Sequence, residues 1–181
     1  MENRSGVYTS GIMKIFKDVL SQELYDTCIS DLTDKLQSSV WKSSIINWPS
    51  SVIEGITGSC IFSMIDSDLS SKISNRISKL FDISSYEIVM QYCAWQPHSG
   101  LSLHDDSNHK MGGTIYLNDN WNINNGGIFL WKNKNQEEEI YNAILPTKNM
   151  LVLNDEKELH LVTPVSSNSQ DLRATIQIWF N

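Results

Sequence analysis

The sequence predicts a mainly β protein of the α+β class, with helices in its first half and an antiparallel sandwich or barrel in its second. Before residue 86, apolar residues recur at helical spacing in two stretches. After residue 86, short apolar and β-branched runs alternate with turn-forming segments. With 181 residues and 40% hydrophobic content, the chain can bury one sizeable core. We therefore expect one domain, in which residues 1–85 form a helical support region and residues 86–181 form the β core.

Two helices are predicted in the first half. Ser21 can cap a helix that runs to about Val40, and a second helix is expected from about Asp68 to Phe81. The apolar residues of each helix form one stripe: Leu24, Cys28, Ile29, Leu32 and Leu36 in the first, and Leu69, Ile73, Ile77 and Leu80 in the second. We expect these stripes to cover one face of a sheet.

The other segments of the first half are predicted to be less regular. Residues 1–11 have the composition of a loose start, and residues 13–20 alternate as a short strand does. Residues 41–60 are rich in serine, so we expect an irregular connection or short strands there.

Seven strands are predicted in the second half. They cover residues 86–95, 112–118, 126–132, 138–144, 149–154, 160–165 and 173–180. The segments between them are rich in Gly, Asn, Ser and Pro, which is typical of turns. Many short strands at this spacing favour an antiparallel sandwich or barrel.

Charge and cysteine content restrict the class of function. A net charge of -7 argues against a nucleic-acid partner, which normally requires a basic face. The three widely spaced cysteines indicate buried thiols in a reducing compartment rather than a disulfide framework. We see no signal peptide and no apolar run of the roughly 20 residues that cross a bilayer. We therefore expect a cytoplasmic protein without a membrane partner.

A His-x-Asp motif is the first candidate for chemistry. His104 and Asp106 are two positions apart, so on a strand their side chains would point to the same face. His160 begins a later predicted strand and can supply a third ligand. Two histidines and one carboxylate on one face of a metal leave three positions open, which suits non-haem Fe(II).

Not every polar residue near this motif is assigned to the site. Asp105 would point away from the metal, and His98 and His109 are interpreted as exposed loop residues. For the bare motif, a polar surface loop is the alternative interpretation. Zinc is the alternative metal, because it binds the same types of side chain.

An arginine near the end of the chain supports the metal interpretation. Arg173 shares one face of the last predicted strand with Thr175, Gln177 and Trp179. A buried arginine is costly without an anionic partner, and a dicarboxylate ligand would supply one through two hydrogen bonds. The hydroxyl of Tyr116 could donate to the same carboxylate.

The order of these motifs resembles that of the Fe(II)/2-oxoglutarate dioxygenases, and within them the prolyl 4-hydroxylase-like branch. The matching features are His104-x-Asp106, Tyr116-Leu-Asn, Trp121, Gly126-Gly127, His160 and Arg173-x-Thr175. The resemblance covers roughly residues 88–180. It implies a double-stranded β-helix, the jelly roll also found in cupins, with the N-terminal helices packed on one sheet.

The resemblance also implies a role for each candidate residue. His104, Asp106 and His160 would bind Fe(II). Arg173 would pair with 2-oxoglutarate, helped by Thr175 and Tyr116. Trp95 and Trp121 would line the substrate pocket, with residues 41–60 and 119–125 as its walls.

The implied reaction is hydroxylation of a C–H bond with O2 as oxidant and release of succinate and CO2, with ascorbate as an accessory reductant. The expected substrate is a prolyl residue in a peptide or protein. One alternative is an oxygenase for a small molecule or a nucleobase. Another is a non-catalytic jelly-roll binding module, which would have no need for both the triad and Arg173.

Overall fold

The computed structural model describes residues 7–10, 13–38, 42–133, 137, 140–155 and 158–181. Its strands are β1 (Val7–Ser10), β2 (Met13–Phe16), β3 (Ser44–Ile45), β4 (Cys60–Met64), β5 (Ile88–Trp95), β6 (Leu101–His104), β7 (Met111–Tyr116), β8 (Phe129–Trp131), β9 (Asn142–Ile144), β10 (Leu151–Asp155), β11 (His160–Val162) and β12 (Arg173–Phe180). Its helices are α1 (Gln22–Gln37) and α2 (Ser67–Ile77), with short 3-10 turns at Ser50–Val52 and Ile123–Asn125.

The strands form two antiparallel sheets. The larger sheet has the order β1-β2-β10-β7-β12-β5-β4-β3, and the smaller has the order β6-β11-β8-β9. Several neighbouring strands are far apart in sequence, such as β2 and β10 or β12 and β5, so the chain crosses repeatedly between the sheets. The mainly β architecture predicted from the spacing of the strands is therefore confirmed.

Both helices form close to where the sequence predicts them. The Ser21 hydroxyl accepts a hydrogen bond of 3.4 Å from Leu24 N, which confirms the predicted N-cap of α1. Helix α1 ends at Gln37, and the predicted end at Val40 lies outside the described residues. Helix α2 ends at Ile77, four residues earlier than predicted, where the chain continues into turns. Within the described residues, neither helix has the length and apolar content that a bilayer span requires.

Two apolar clusters hold the layers together. In the first, the stripes of α1 and α2 pack on the outer face of the larger sheet, against Ile115, Leu151, Leu153, Ile176, Ile178 and Phe180. In the second, the inner faces of the two sheets meet around Met13, Cys93, Trp95, Tyr116, Phe129, Val152 and Val162. The predicted packing of the helices on one sheet face is confirmed.

The strands before residue 86 differ most from the prediction. Residues 7–10 were expected to be loose, yet they form β1 by pairing with β2. Strand β4 was not predicted, because its alternation is weak and its place in the sheet depends on β5, about 30 residues later in the chain. The larger sheet therefore takes strands from both sides of residue 86.

Candidate active site

The three predicted metal ligands come together at one end of the smaller sheet. His104 ends β6 and His160 begins β11, and the two residues are direct partners in the antiparallel pair. Their ring centroids are 4.4 Å apart. Asp106 lies in the turn after β6, because the strand ends at His104. The expectation that Asp106 lies on the strand is therefore wrong. Its position is set by a turn, in which His109 N donates a hydrogen bond of 2.8 Å to Asp106 O.

The ligand atoms of this triad can reach a single ion. Asp106 Oδ1 is 3.9 Å from His104 Nε2, and Asp106 Oδ2 is 3.5 Å from His160 Nε2. One ligand atom from each residue lies within 4.8 Å of the other two. Asp106 and His160 are buried, and His104 is nearly so. Two imidazoles and one carboxylate form a donor set that leaves half of an octahedron open.

Backbone carbonyls fix both imidazole rings. His104 Nδ1 is 2.7 Å from Ser102 O, and His160 Nδ1 is 2.8 Å from Glu158 O. Because a carbonyl oxygen only accepts, each Nδ1 carries the proton, and each Nε2 lone pair faces the site. Burial lowers the pKa of His160, with the Asp106 charge opposing it, so this ring stays neutral and able to bind a metal.

Arg173 is fully buried near the triad, at the start of β12. Its side chain is 1% exposed, and its Nε donates a hydrogen bond of 2.8 Å to Gly127 O. The guanidinium carbon lies 5.3 Å from the ring centroids of both Trp95 and Tyr116. Within the described part of the chain, no carboxylate lies within 4.0 Å of this guanidinium. Because no such carboxylate is present, the fold holds an unneutralised cation at a cavity wall. Burial lowers the pKa of this guanidinium.

Tyr116 and Thr175 lie beside this guanidinium. Burial raises the pKa of Tyr116 to about 12, against the opposing charge of Arg173, so its hydroxyl keeps its proton. That hydroxyl is buried and makes no well-formed hydrogen bond to a described residue, and the Arg173 guanidinium is the charged group beside it. The Thr175 hydroxyl accepts a hydrogen bond of 3.3 Å from Trp95 Nε1. The N–H groups of Arg173 and the hydroxyl of Tyr116 can thus donate hydrogen bonds to the same anion.

Tyr116 and Thr175 do not line the cavity, although Tyr116 lies against the Arg173 guanidinium and Thr175 accepts a hydrogen bond from Trp95. Trp121 was expected to line the substrate pocket, and it does not. It packs in the core between the sheets, and its indole donates a hydrogen bond of 2.8 Å to Gly126 O. Residues 119–125 are likewise absent from the cavity walls, whereas Trp48, Pro49 and Val52 form part of them.

A cavity of about 200 Å³ connects the triad to Arg173. Its mouth is aromatic, since the His109 ring stacks on Trp179 with centroids 4.4 Å apart. His109 lies in a loop, as expected, but the interpretation that it is exposed is wrong, because it is half-buried at the cavity. His98 is exposed, as expected, and Asp105 is an exposed residue at the rim. The sequence gives no signal for His109, because its partner Trp179 is 70 residues away.

Asn154 is a further site residue that the sequence reasoning missed. It lies near the end of β10 and donates a hydrogen bond of 2.7 Å from Nδ2 to Asp106 Oδ2. The one local signal is a buried polar residue at the end of an apolar strand, which is not specific enough to indicate a role.

A sequence model of the 2OG-Fe(II) oxygenase superfamily matches residues 90–181, the half of the chain that carries the triad and Arg173. The chain therefore belongs to this superfamily, whose members are dioxygenases that use Fe(II), 2-oxoglutarate and O2. The resemblance stated from the motifs is confirmed. No curated protein matches the chain by sequence.

Three solved structures share the fold. A prolyl-4-hydroxylase from Pseudomonas putida has a TM-score of 0.71 at 12% identity, with 95% of this chain and 93% of that one covered. A prolyl hydroxylase from Trichoplax adhaerens, in complex with a hypoxia inducible factor peptide fragment, has a TM-score of 0.72 at 19% identity, with 94% and 84% covered.

A third similar structure is that of an epimerase, not of a hydroxylase. The non-haem alpha ketoglutarate dependent epimerase from nogalamycin biosynthesis has a TM-score of 0.66 at 9% identity, with 94% of this chain and 78% of that one covered. At these identities the three structures establish the double-stranded β-helix of this chain, and they leave its substrate open.

Proposed function

We propose that this protein hydroxylates a C–H bond of a prolyl residue in a peptide or protein, with release of succinate and CO2. The observation that carries the cosubstrate assignment is the buried, unneutralised guanidinium of Arg173 beside a two-histidine, one-carboxylate set. Burying a cation without an anionic partner costs a free energy on the order of several kcal/mol. A bound dicarboxylate removes that cost.

His104, Asp106 and His160 would hold Fe(II). The donor set fits, because both Nε2 lone pairs and the carboxylate face one point, and both Nδ1 protons are already bound to carbonyls. When bound, Fe(II) and 2-oxoglutarate supply the oxidising equivalent that the reaction needs. The chain itself contributes the position of the three ligands and a buried site.

Arg173 would bind the distal carboxylate of 2-oxoglutarate. Its Nε is engaged by Gly127 O, so its remaining N–H donors are free to form a fork against a carboxylate. Tyr116 would donate its unsatisfied hydroxyl proton to the same group. Thr175 would keep the Trp95 ring against the guanidinium through its hydrogen bond to the indole.

The cavity mouth supports a prolyl substrate. Its walls are Trp48, Pro49, Trp95, His109 and Trp179, which present flat, mainly apolar surfaces that suit a pyrrolidine ring. A shallow cleft continues from Trp48 and Trp179 to the edge strand β3, which is paired on one side only. An extended peptide could follow this cleft. The similarity to two prolyl hydroxylase structures, one with a bound peptide, adds support.

A substrate panel tests this proposal. The protein is reconstituted with Fe(II), 2-oxoglutarate and ascorbate, and is offered proline-containing peptides, the same peptides with alanine in place of proline, free proline and a single-stranded oligonucleotide. We expect a gain of one oxygen atom on the proline peptides alone, measured by mass spectrometry. Modification of only the free amino acid or only the oligonucleotide would contradict the assignment of a peptide substrate.

A further inference from the structure

We propose that Asn154 is a positioning residue, which orients the Asp106 carboxylate so that it binds the metal through one oxygen only. The inference rests on the proposed function, because it concerns the same metal site. The bond from Asn154 Nδ2 to Asp106 Oδ2 measures 2.7 Å. The two side chains are 3% and 8% exposed, so water does not compete for this bond.

The opposite strand is shaped for this contact. Asn154 on β10 is the direct partner of Gly112 on β7. A Cβ atom at position 112 would lie 2.5 Å from Asp106 Oδ2, and 2.8 Å and 2.9 Å from Asn154 Oδ1 and Nδ2. Real Cβ atoms are not found at such distances. The pair of side chains therefore occupies space that exists because residue 112 is glycine.

The direction of the hydrogen bond follows from the chemistry of its partners. An ionised carboxylate only accepts, so the amide nitrogen of Asn154, and not its oxygen, faces Asp106. The bond engages Oδ2, which also lies 3.5 Å from His160 Nε2, and it leaves Oδ1, which lies 3.9 Å from His104 Nε2, without this donor. A carboxylate held in this way is biased towards binding an ion through Oδ1.

This bias matters because of the number of coordination positions. Three protein ligands would leave three of six positions on the metal for the cosubstrates of the reaction. A carboxylate bound through both oxygens would occupy one of those three. The Asn154 amide opposes this second bond, since its proton and the metal compete for Oδ2.

A neighbouring pair of side chains provides a matched control. Thr114 Oγ1 donates a hydrogen bond of 3.0 Å to Gln177 Oε1 in the same cavity, and Thr114 lies on the same strand as Gly112. Among the described residues, neither side chain of this pair forms a hydrogen bond to the three proposed ligands. Thr114→Val removes a cavity hydrogen bond of similar length without disturbing Asp106.

The test is anaerobic titration with Co(II), with the dissociation constant and the visible absorption spectrum as readouts, because the spectrum reports the number of ligands. Asn154→Leu removes the donor and keeps the volume, and Asn154→Ala removes it without adding bulk. We expect both to bind Co(II) about 10–100-fold more weakly, with an altered spectrum. Thr114→Val should bind as the wild type does.

Gly112→Ala, on β7, should disrupt the same hydrogen bond between Asn154 and Asp106. This variant replaces the Asn154 variants in the titration if those fail to fold. Wild-type affinity and an unchanged spectrum in the folded variants would overturn the positioning role. If the wild type binds no Co(II), or if His104→Ala binds it equally well, the metal site itself is wrong and the inference fails with it.

Discussion

The two faces of the larger sheet are made by the same strands and have opposite characters. On the outer face, Ile176 and Ile178 of β12 are fully buried under the helices. On the inner face, alternate residues of the same strand, Arg173 and Thr175, are equally buried but polar. Because side chains alternate along a strand, one eight-residue segment carries stability on one side and chemistry on the other.

The difference shows how the site is supported. Each face holds a buried tyrosine hydroxyl without a hydrogen bond to a described residue, Tyr92 on the outer face and Tyr116 on the inner. Among the described residues, the inner face alone also holds a guanidinium without a carboxylate partner. These inner groups lower stability unless a ligand binds. We therefore expect substitutions on the outer face to change the free energy of unfolding, and those on the inner face to change ligand affinity.

The largest expected effect on the inner face is that of Arg173→Ala. Loss of one partner of a buried charge pair costs about 2–5 kcal/mol of binding, so 2-oxoglutarate affinity should fall by roughly 30-fold or more. Calorimetry on the metal-loaded protein measures it. Arg173→Lys is the matched variant, because it keeps the charge and loses the planar fork of the guanidinium. Its affinity for 2-oxoglutarate should lie between those of the wild type and Arg173→Ala. Equal affinity in all three would remove Arg173 from the cosubstrate site.

On the outer face, Ile178→Ala should act on stability alone. Ile178 is 0% exposed in the cluster beneath the helices, so its truncation should lower the free energy of unfolding by about 2–5 kcal/mol. Urea denaturation measures the loss. In the fraction that remains folded, 2-oxoglutarate affinity should match the wild type. A large change in that affinity would mean that the two faces are not separable.

Gly127→Ala tests how the inner face accommodates its arginine. A Cβ at this residue would lie 2.6 Å from Arg173 Cδ, and its φ of 62° is already unfavourable for alanine. Gly55 has a similar φ of 74° and nothing within 4 Å of its Cβ position, so Gly55→Ala has only the backbone cost, roughly 1–2 kcal/mol. We expect weaker 2-oxoglutarate binding in Gly127→Ala alone, measured by the same calorimetry.

The smallest expected effect is the pH dependence of the metal-free protein. Burial lowers the pKa of His160, so the folded state binds fewer protons there than the unfolded state does. The free energy of unfolding should therefore be unaffected by His160 above the unfolded pKa of about 6.5, and should fall as the pH drops below that value. Thermal unfolding of wild type and His160→Gln across this range should show a shallower decline in the variant. An equal or steeper decline would contradict the assignment.

Local patterns in the sequence were sufficient for much of the fold and of the site. The alternation of Arg173 and Thr175 with Ile176 and Ile178 correctly divided β12 into two faces. The helical stripe that includes Cys28 and Leu32 correctly predicted a helix packed on a sheet. Patterns of this kind are set by the period of one element, so a single segment is enough to reveal them.

The missed features depend on pairing between distant segments. Asn154 approaches Asp106 because β10 pairs with β7, and His109 lines the cavity because it stacks on Trp179. Trp121 illustrates the opposite case, since its position in sequence predicted a pocket residue and its side chain packs in the core. No local period distinguishes these alternatives, because strand register decides them.

The central claim, that the inner face holds an iron and 2-oxoglutarate site, is tested most directly by succinate release. The protein is reconstituted anaerobically with Fe(II) and 2-oxoglutarate, exposed to O2, and assayed for succinate with and without the metal. We predict iron-dependent succinate, at least at an uncoupled rate, and its loss in His104→Ala. No iron-dependent succinate from the wild type, or undiminished turnover in His104→Ala, would contradict the account.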